Sequence, residues 1–394
     1  MQYSIKKSAL AVCVSLTLGS MAANAEEFLV GSELPLTGVN ARAGNAVREG
    51  ILVAVEIFNK KSEKNKIKML FLDDESQPAK AVSAVEQLAA EKVVAITGGY
   101  GSSFVSPATN AAEKAGLVYI TSGGTDDKLA SRGLKTFFRI NNTPGYEKAM
   151  VGLFGDLKVK SVSIISSTKE APFDLAKEVE KKLKAMGIMV TMHPFDPSIT
   201  DFKPIINKIK LQDRPEAIAM LGYENDYVGI LRAANVLKPD VKAVVGIWSL
   251  ATPKMAVDFP DLMPNVFGIA LLPYPTEFKS AEGREFVETY KKLFNKEPDY
   301  VGQFGFVQSQ LLFEALGSAA KKGTLKQGGL AEELRKTNRE TLIGRVQFNE
   351  KGDNVNFLPS MGQHQGGKIV LVWPKQMATG NMNFPAVPWS VSKK

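Results

Sequence analysis

The chain has one cysteine in 394 residues, and Cys13 lies inside the apolar run 9–18 near the N-terminus. With Lys6 and Lys7 before it and Ala23-Asn24-Ala25 after it, that run reads as a secretory signal peptide over residues 1–25, with a small-x-small cleavage pattern. A mature chain beginning near Glu26 carries neither thiol nor disulfide, so its fold rests on its core alone. Lipidation at Cys13 is the weaker reading, because Val12 is larger than the residue expected before a lipidated cysteine. Histidine is nearly as scarce. His193 and His364 stand in no metal-ligand spacing and beside no nucleophile elbow. No G-x-x-x-x-G-K-[ST] loop occurs, and Phe104 and Val105 follow the Gly-Gly-Tyr-Gly run where a dinucleotide fingerprint requires glycine spacing. The acidic run Asp73-Asp74-Glu75 lacks the spaced oxygens and central glycine of a calcium loop. These absences argue against an enzyme, a cofactor or a metal.

A hydrophobic content of 44% with 23% charged residues describes a globular chain long enough for two domains, each with its own core. Removal of Lys6 and Lys7 lowers the formal charge from +8 to +6. The remaining charge is spread over Lys/Glu helices, which is a solvated surface and not a nucleic-acid footprint.

Residues 93–125 carry the most informative pattern. A β-rich apolar run (93–97) meets the polar turn Tyr100-Gly101-Ser102-Ser103, helical spacing follows over 104–115, and a second apolar run (117–121) ends at Ser122-Gly123-Gly124-Thr125. In a doubly wound sheet, ligands sit beyond the carboxyl ends of the strands. Two neighbouring turns of hydroxyls and backbone N–H groups at a helix N-terminus suit a carboxylate. Read blandly, the serines are N-caps and the glycines turn residues.

Upstream, residues 28–36 form a strand, a polar loop carrying Arg42 leads into a helix with Val47, Ile51, Ala54 and Phe58 on one face, residues 67–72 form a second strand, and 78–91 a second helix. After an apolar strand at 137–140, Asn141-Asn142-Thr143-Pro144-Gly145 marks a crossing and the βα pattern restarts. Strands at 162–166, 189–192, 217–221, 243–246 and 266–270 alternate with helices at 173–186, 202–210 and 225–236, and Pro273-Tyr274-Pro275 reads as a return crossing. Helices over 280–294 and 304–322, a strand over 345–348 and a last strand over 369–373 complete the pattern. Two βα sets separated by crossings argue two similar α/β lobes.

The segments VGSELPLTG, DDESQPAKAV, GSSFVSPATNAAEKAGLVYITSGGT, LGYENDYVGILRAA and FNEKGD resemble, in order, the leucine/isoleucine/valine-binding family of type I periplasmic solute receptors that serve ABC importers. The resemblance implies two doubly wound lobes, 26–143 plus 275–349 and 144–274 plus 350–394. Three crossover hinge strands would join them in a Venus-flytrap arrangement, the third crossing at 349–353. It implies a monomer in the periplasm, a small carboxylate as ligand, permease subunits as partners, and no cofactor. A sensory receptor of the same fold, signalling to a membrane or regulatory partner, is the alternative.

Position by position, Ser102, with Ser103 beside it, matches the serine that holds the ligand carboxylate, and Thr125 matches the threonine of the next turn. Gly124 offers a backbone contact, and Tyr223 matches the covering tyrosine. Two departures shape the expected ligand. Trp248 sits where the family's acid pairs with an ammonium, and Ala43 replaces an aromatic wall. Together with Tyr100, they favour a flat aromatic acid, while Glu224 leaves an amino acid open. Phe173 is expected as pocket wall or inward helix residue, and Arg42 as a solvated loop residue or a contact for the ligand's far end.

Overall fold

In a computed structural model that describes residues 26–390 except Lys279, the apolar run after the cleavage pattern is strand β1 (Glu26–Leu34). The signal peptide read over 1–25, and Cys13 with it, lies outside the described residues. Four further βα steps follow. They are α1 (Ala41–Lys61), β2 (Asn65–Asp73), α2 (Pro78–Ala90), β3 (Ala95–Thr97), α3 (Ser102–Lys114), β4 (Val118–Thr121), α4 (Asp127–Ser131) and β5 (Phe137–Arg139). The strands form one parallel sheet in the order β2-β1-β3-β4-β5. Its order reverses between β1 and β3, and their carboxyl ends flank a crevice suited to a ligand.

The turn-rich stretch expected as a simple crossing also opens a helix, α5 (Thr143–Leu157). The Asn142 side chain accepts from Gly145 N–H at 3.1 Å and Pro144 sits in the first turn, so the residues that read as a turn are N-terminal capping residues. β6 (Ser161–Ser167), α6 (Glu170–Ala185), β7 (Met189–Phe195), α7 (Lys203–Lys208), β8 (Ala217–Leu221), α8 (Glu224–Leu237), β9 (Ala243–Val245), α9 (Pro253–Asp258) and β10 (Phe267–Ala270) follow. β8 is buried at every position, as a central parallel strand covered on both faces must be.

The chain then returns to α1 with α10 (Ala281–Phe294) and α11 (Tyr300–Lys322), followed by α12 (Gly329–Arg335) and the ribbon β11 (Asn338–Thr341) and β12 (Gly344–Gln347). It crosses a third time to the hairpin β13 (Ser360–Gln365) and β14 (Lys368–Trp373). The second sheet runs β14-β13-β10-β9-β8-β6-β7, with β13 and β14 antiparallel at its edge. The single C-terminal strand expected from sequence is therefore one arm of a hairpin. The polar partner arm, SMGQHQ, carries no β-rich run to reveal it. α4, α9, α12 and β11 also went unread, being too short for periodicity.

α1 packs on α11 with no room for side chains at the crossing. A Cβ on Gly50 would lie 1.8 Å from the Gly302 carbonyl oxygen, and one on Gly305 would lie 2.2 Å from that of Val47. The obstruction is backbone and cannot swing aside. Gly50→Ala is expected to cost about 1–3 kcal/mol or more, seen as a lower urea midpoint with unchanged slope. An unaltered midpoint would show that the two helices are free to separate.

Candidate functional site

The turn after β3 reaches α3 through Gly101, whose φ of 99° is one that a residue with a Cβ rarely adopts. Its carbonyl accepts from the amides of Phe104 and Val105 at 3.0 Å, leaving the first amides of α3 without intrahelical partners. Ser102 opens that helix. Its Oγ accepts from the backbone amides of Thr125 and Asp126, both at 3.1 Å, so one buried hydroxyl ties the turn after β3 to the turn after β4. With both bonds accepted, the Ser102 proton remains available to donate.

Opposite these turns stand the strand ends of the second sheet. Tyr223 precedes α8, and its amide donates to Asp226 Oδ2 at 2.9 Å. Its ring stacks on Trp248, just beyond β9, at 6.0 Å between centroids and 27° between planes. Tyr146, on α5, meets the same indole edge-on at 5.7 Å and 88°. The Tyr100 hydroxyl lies 2.9 Å from Ser249 Oγ across the cleft, and the Ser249 amide donates to the Tyr300 hydroxyl. Between the two sets of turns lies a narrow inner cavity lined by Tyr100, Ser102, Ser122, Gly123, Thr125, Asn141, Tyr146, Tyr223, Trp248, Tyr300, Val301 and Phe304.

Five of the ten residues singled out from sequence line this cavity: Tyr100, Ser102, Thr125, Tyr223 and Trp248. Ser103, Gly124 and Phe173 do not. A Cβ on Gly124 would run into Val105 and Leu129, so this glycine faces packing, and Gly123 takes the place on the wall. Phe173 lies under the Lys177 ammonium, 4.1 Å from its ring centre. The reading missed Asn141, Tyr146, Val301, Tyr300 and Phe304. For the last two a signal existed, since Asp299 caps α11 by accepting from Gly302 N–H at 2.8 Å and so places Tyr300 and Phe304 one turn apart.

Arg42 and Glu224 belong to a wider outer chamber, about 1350 Å³ with its opening to solvent. Ala43 also lines this chamber and not the inner cavity, so its missing bulk widens the approach and leaves the aromatic walls unchanged. Arg42 is not a free loop residue. It bridges the cleft, with Nε 2.7 Å from Glu224 and Nη1 on Asp258, while its guanidinium lies over Phe259. On another part of the rim, Lys128 reaches Glu170 at 2.9 Å and Asp174 at 2.8 Å. With Asp126 these two acids place three carboxylate oxygens within 4.8 Å of one another, a spacing that could hold a metal, but the lysine already neutralises two of them. The Asp73 acid holds the first loop, accepting from the amides of Leu36 at 2.9 Å and Thr37 at 3.2 Å. Neither histidine lines either chamber, and burial keeps His364 neutral, its pKa lowered to about 4.

Two lobes meeting through strand-end turns, with cross-cleft ion pairs outside an aromatic cavity, agree with the comparison of the whole chain. Residues 29–358 match the family described as periplasmic binding protein. The chain belongs to that family. The leucine-, isoleucine-, valine-, threonine- and alanine-binding protein of Pseudomonas aeruginosa is 26% identical over 330 residues, which is 82% of this chain and 86% of the relative. Among solved structures, the leucine binding protein LivK of Thermotoga maritima superposes with a TM-score of 0.79 at 22% identity, over 88% of this chain and 97% of that one. A solute-binding protein of R. palustris in complex with benzoate reaches a TM-score of 0.77 at 17% identity, over 92% and 97%. This periplasmic binding protein is a solute receptor and not an enzyme.

Electrostatics at the rim of the receptor make a pH prediction. Burial raises the Glu224 pKa from 4.5 to about 7, Asp299 and Asp258 push the same way, and Arg42 and Lys254 only partly oppose them. The folded protein then holds a proton that the unfolded chain has released. That stabilisation is fully present below 4.5 and is lost as pH rises through about 7. Between pH 5 and 8, the stability of the wild type relative to Glu224→Gln should fall by about 2–3 kcal/mol in denaturant titrations. Parallel curves for the two proteins would place Glu224 in a solvated setting.

Proposed function

We propose that this chain is the extracytoplasmic substrate-binding subunit of an ABC importer, carried to the periplasm by its signal peptide and acting as a monomer. It hands a small aromatic carboxylate to permease subunits. The observation that carries this reading is the inner cavity: among the described residues its walls are aromatic and no charged side chain lines it. A ligand ammonium there has no counter-ion, and burying it costs several kcal/mol, of which attraction to the Trp248 face returns ~2 kcal/mol. A carboxylate finds the Ser102 hydroxyl and the free amides at the start of α3, where the helix dipole favours an anion. The benzoate held by the R. palustris protein fits the same choice, while the name of the P. aeruginosa relative keeps amino acids as the competing ligands.

The lobes, 26–143 plus 275–349 and 144–274 plus 350–394, close as units about the three crossings. Tyr100–Ser249, Arg42–Glu224 and Lys128–Glu170 join across the cleft in the closed form. Small-angle scattering is expected to show a smaller radius of gyration on addition of a bound acid; an unchanged radius at saturation would refute the closure.

Thermal-shift titration of benzoate, cinnamate and the twenty amino acids tests the ligand. A ligand present at 100 times its Kd adds about 2.7 kcal/mol to stability. Stabilisation by the aromatic acids is expected. Stabilisation by leucine, isoleucine or valine, with no response to any aromatic acid, would overturn the proposal.

A further inference from the structure

The acidic run that ends β2 sends its second member inside the protein. Asp74 and Glu33 of β1 are both 0% exposed, and their carboxyl groups are hydrogen-bonded to each other. The Tyr119 hydroxyl donates to Glu33 Oε1, and the Ser76 amide donates to Asp74 Oδ1 at 2.7 Å. One oxygen on each, Glu33 Oε2 and Asp74 Oδ2, is buried and receives no donor from the rest of the protein. Among the described residues no lysine, arginine or histidine acts on the pair; the titratable groups facing it are Tyr119 from β4 and Asp73 beside it. Two carboxylates that have lost their water and meet each other's charge do not both ionise. Burial and the Asp74 charge hold the Glu33 carboxyl well above the usual range.

We propose that Glu33 and Asp74 share one proton, and that this proton is a pH-sensitive fastening for two turns of the ligand cleft. Glu33 is joined to the turn after β3, where its carbonyl accepts from Gly99 N–H at 2.8 Å and a Cβ on Gly99 would lie 2.3 Å from the Tyr119 hydroxyl. Tyr100 of the inner cavity is the next residue. Asp74 is joined to the loop before α1 through Ser76, whose Oγ accepts from Asn40 N–H at 3.1 Å and donates to the Thr37 carbonyl at 2.9 Å. Arg42 and Ala43 of the outer chamber follow that loop. With the proton in place, a carboxylic acid donates to a carboxylate and both turns are held. Without it, two like charges meet in a buried site and their repulsion acts on both turns. The folded protein keeps a proton that the unfolded chain releases, so this stabilisation is fully present below the ordinary value of 4.5 and is lost as pH rises through the raised folded value. The fastening is independent of which acid or amino acid the cleft takes.

The test compares the ligand-free mature receptor with Glu33→Gln. The glutamine oxygen accepts from Tyr119 and its nitrogen donates to Asp74, so the variant reproduces the protonated acid at every pH. Asp74→Asn, whose nitrogen donates to Glu33 while its oxygen keeps the Ser76 amide, provides the same comparison if the first variant does not fold. Infrared spectra at pH 7 should contain a protonated-carboxyl component in the wild type that the amide variant lacks. Amide hydrogen exchange over 37–40, 74–76 and 98–101 should be equal in the two proteins at pH 5 and about 10-fold faster in the wild type at pH 9, the loss that one pH unit of linkage represents. Identical infrared spectra would overturn the shared proton. A protonated carboxyl with equal exchange at both pH values would make the pair a fixed structural contact and overturn the fastening.

Discussion

Arg139 stands at the end of β5, 1% exposed, with every arm of its guanidinium engaged. Nε and Nη2 reach the two oxygens of Asp353 at 2.9 and 3.0 Å, Nη2 also meets Asp127 at 2.8 Å, and Nη1 donates to the carbonyls of Thr125 and Asp126 at 2.7 and 2.8 Å. Its backbone donates to the Gly352 carbonyl and accepts from Asn354 N–H. One side chain thus binds the first crossing to the third and holds the Thr125 turn against both. A buried guanidinium is tolerable only when its donors are met, and removal of one partner from such a set typically costs 3–5 kcal/mol. The cavity wall formed by the second turn is therefore fastened to the joint between the lobes.

The cleft divides its chemistry by depth. The inner cavity is aromatic, with hydroxyls and amides and no charged side chain, whereas the outer chamber carries Arg42, Lys254, Glu224, Asp258 and Asp299. Charge is placed where water still reaches it, and partly exposed ion pairs of this kind are individually weak.

Much of the α/β order was legible along the chain. Long runs with clear periodicity, such as 41–61, 78–90 and 217–221, announce their own state, and the Gly-Ser turns after β3 and β4 announced a strand-end site. Short elements were silent. α4 and α9 have five and six residues, less than two turns, and β13 is polar in sequence although it lies buried between β10 and β14. The cavity was half legible. Tyr100, Ser102, Thr125, Tyr223 and Trp248 sit at strand ends, where the fold class directs attention, whereas Asn141 and Tyr146 come from a crossing and a helix start that carry no local mark of a ligand.

By itself the sequence determined the class of fold, the export signal as a pattern and the pair of polar turns, because these depend on residues close together in the chain. Only the tertiary structure decided which side chains face one another. It paired Arg42 with Glu224, moved Ala43 to the outer chamber, turned Gly124 into packing, and set Tyr146 between Asn141 and Trp248. The Arg42–Glu224 pair joins residues more than a hundred positions apart. Periodicity and propensity act within a few turns of chain, whereas a contact between two lobes depends on where both backbones arrive.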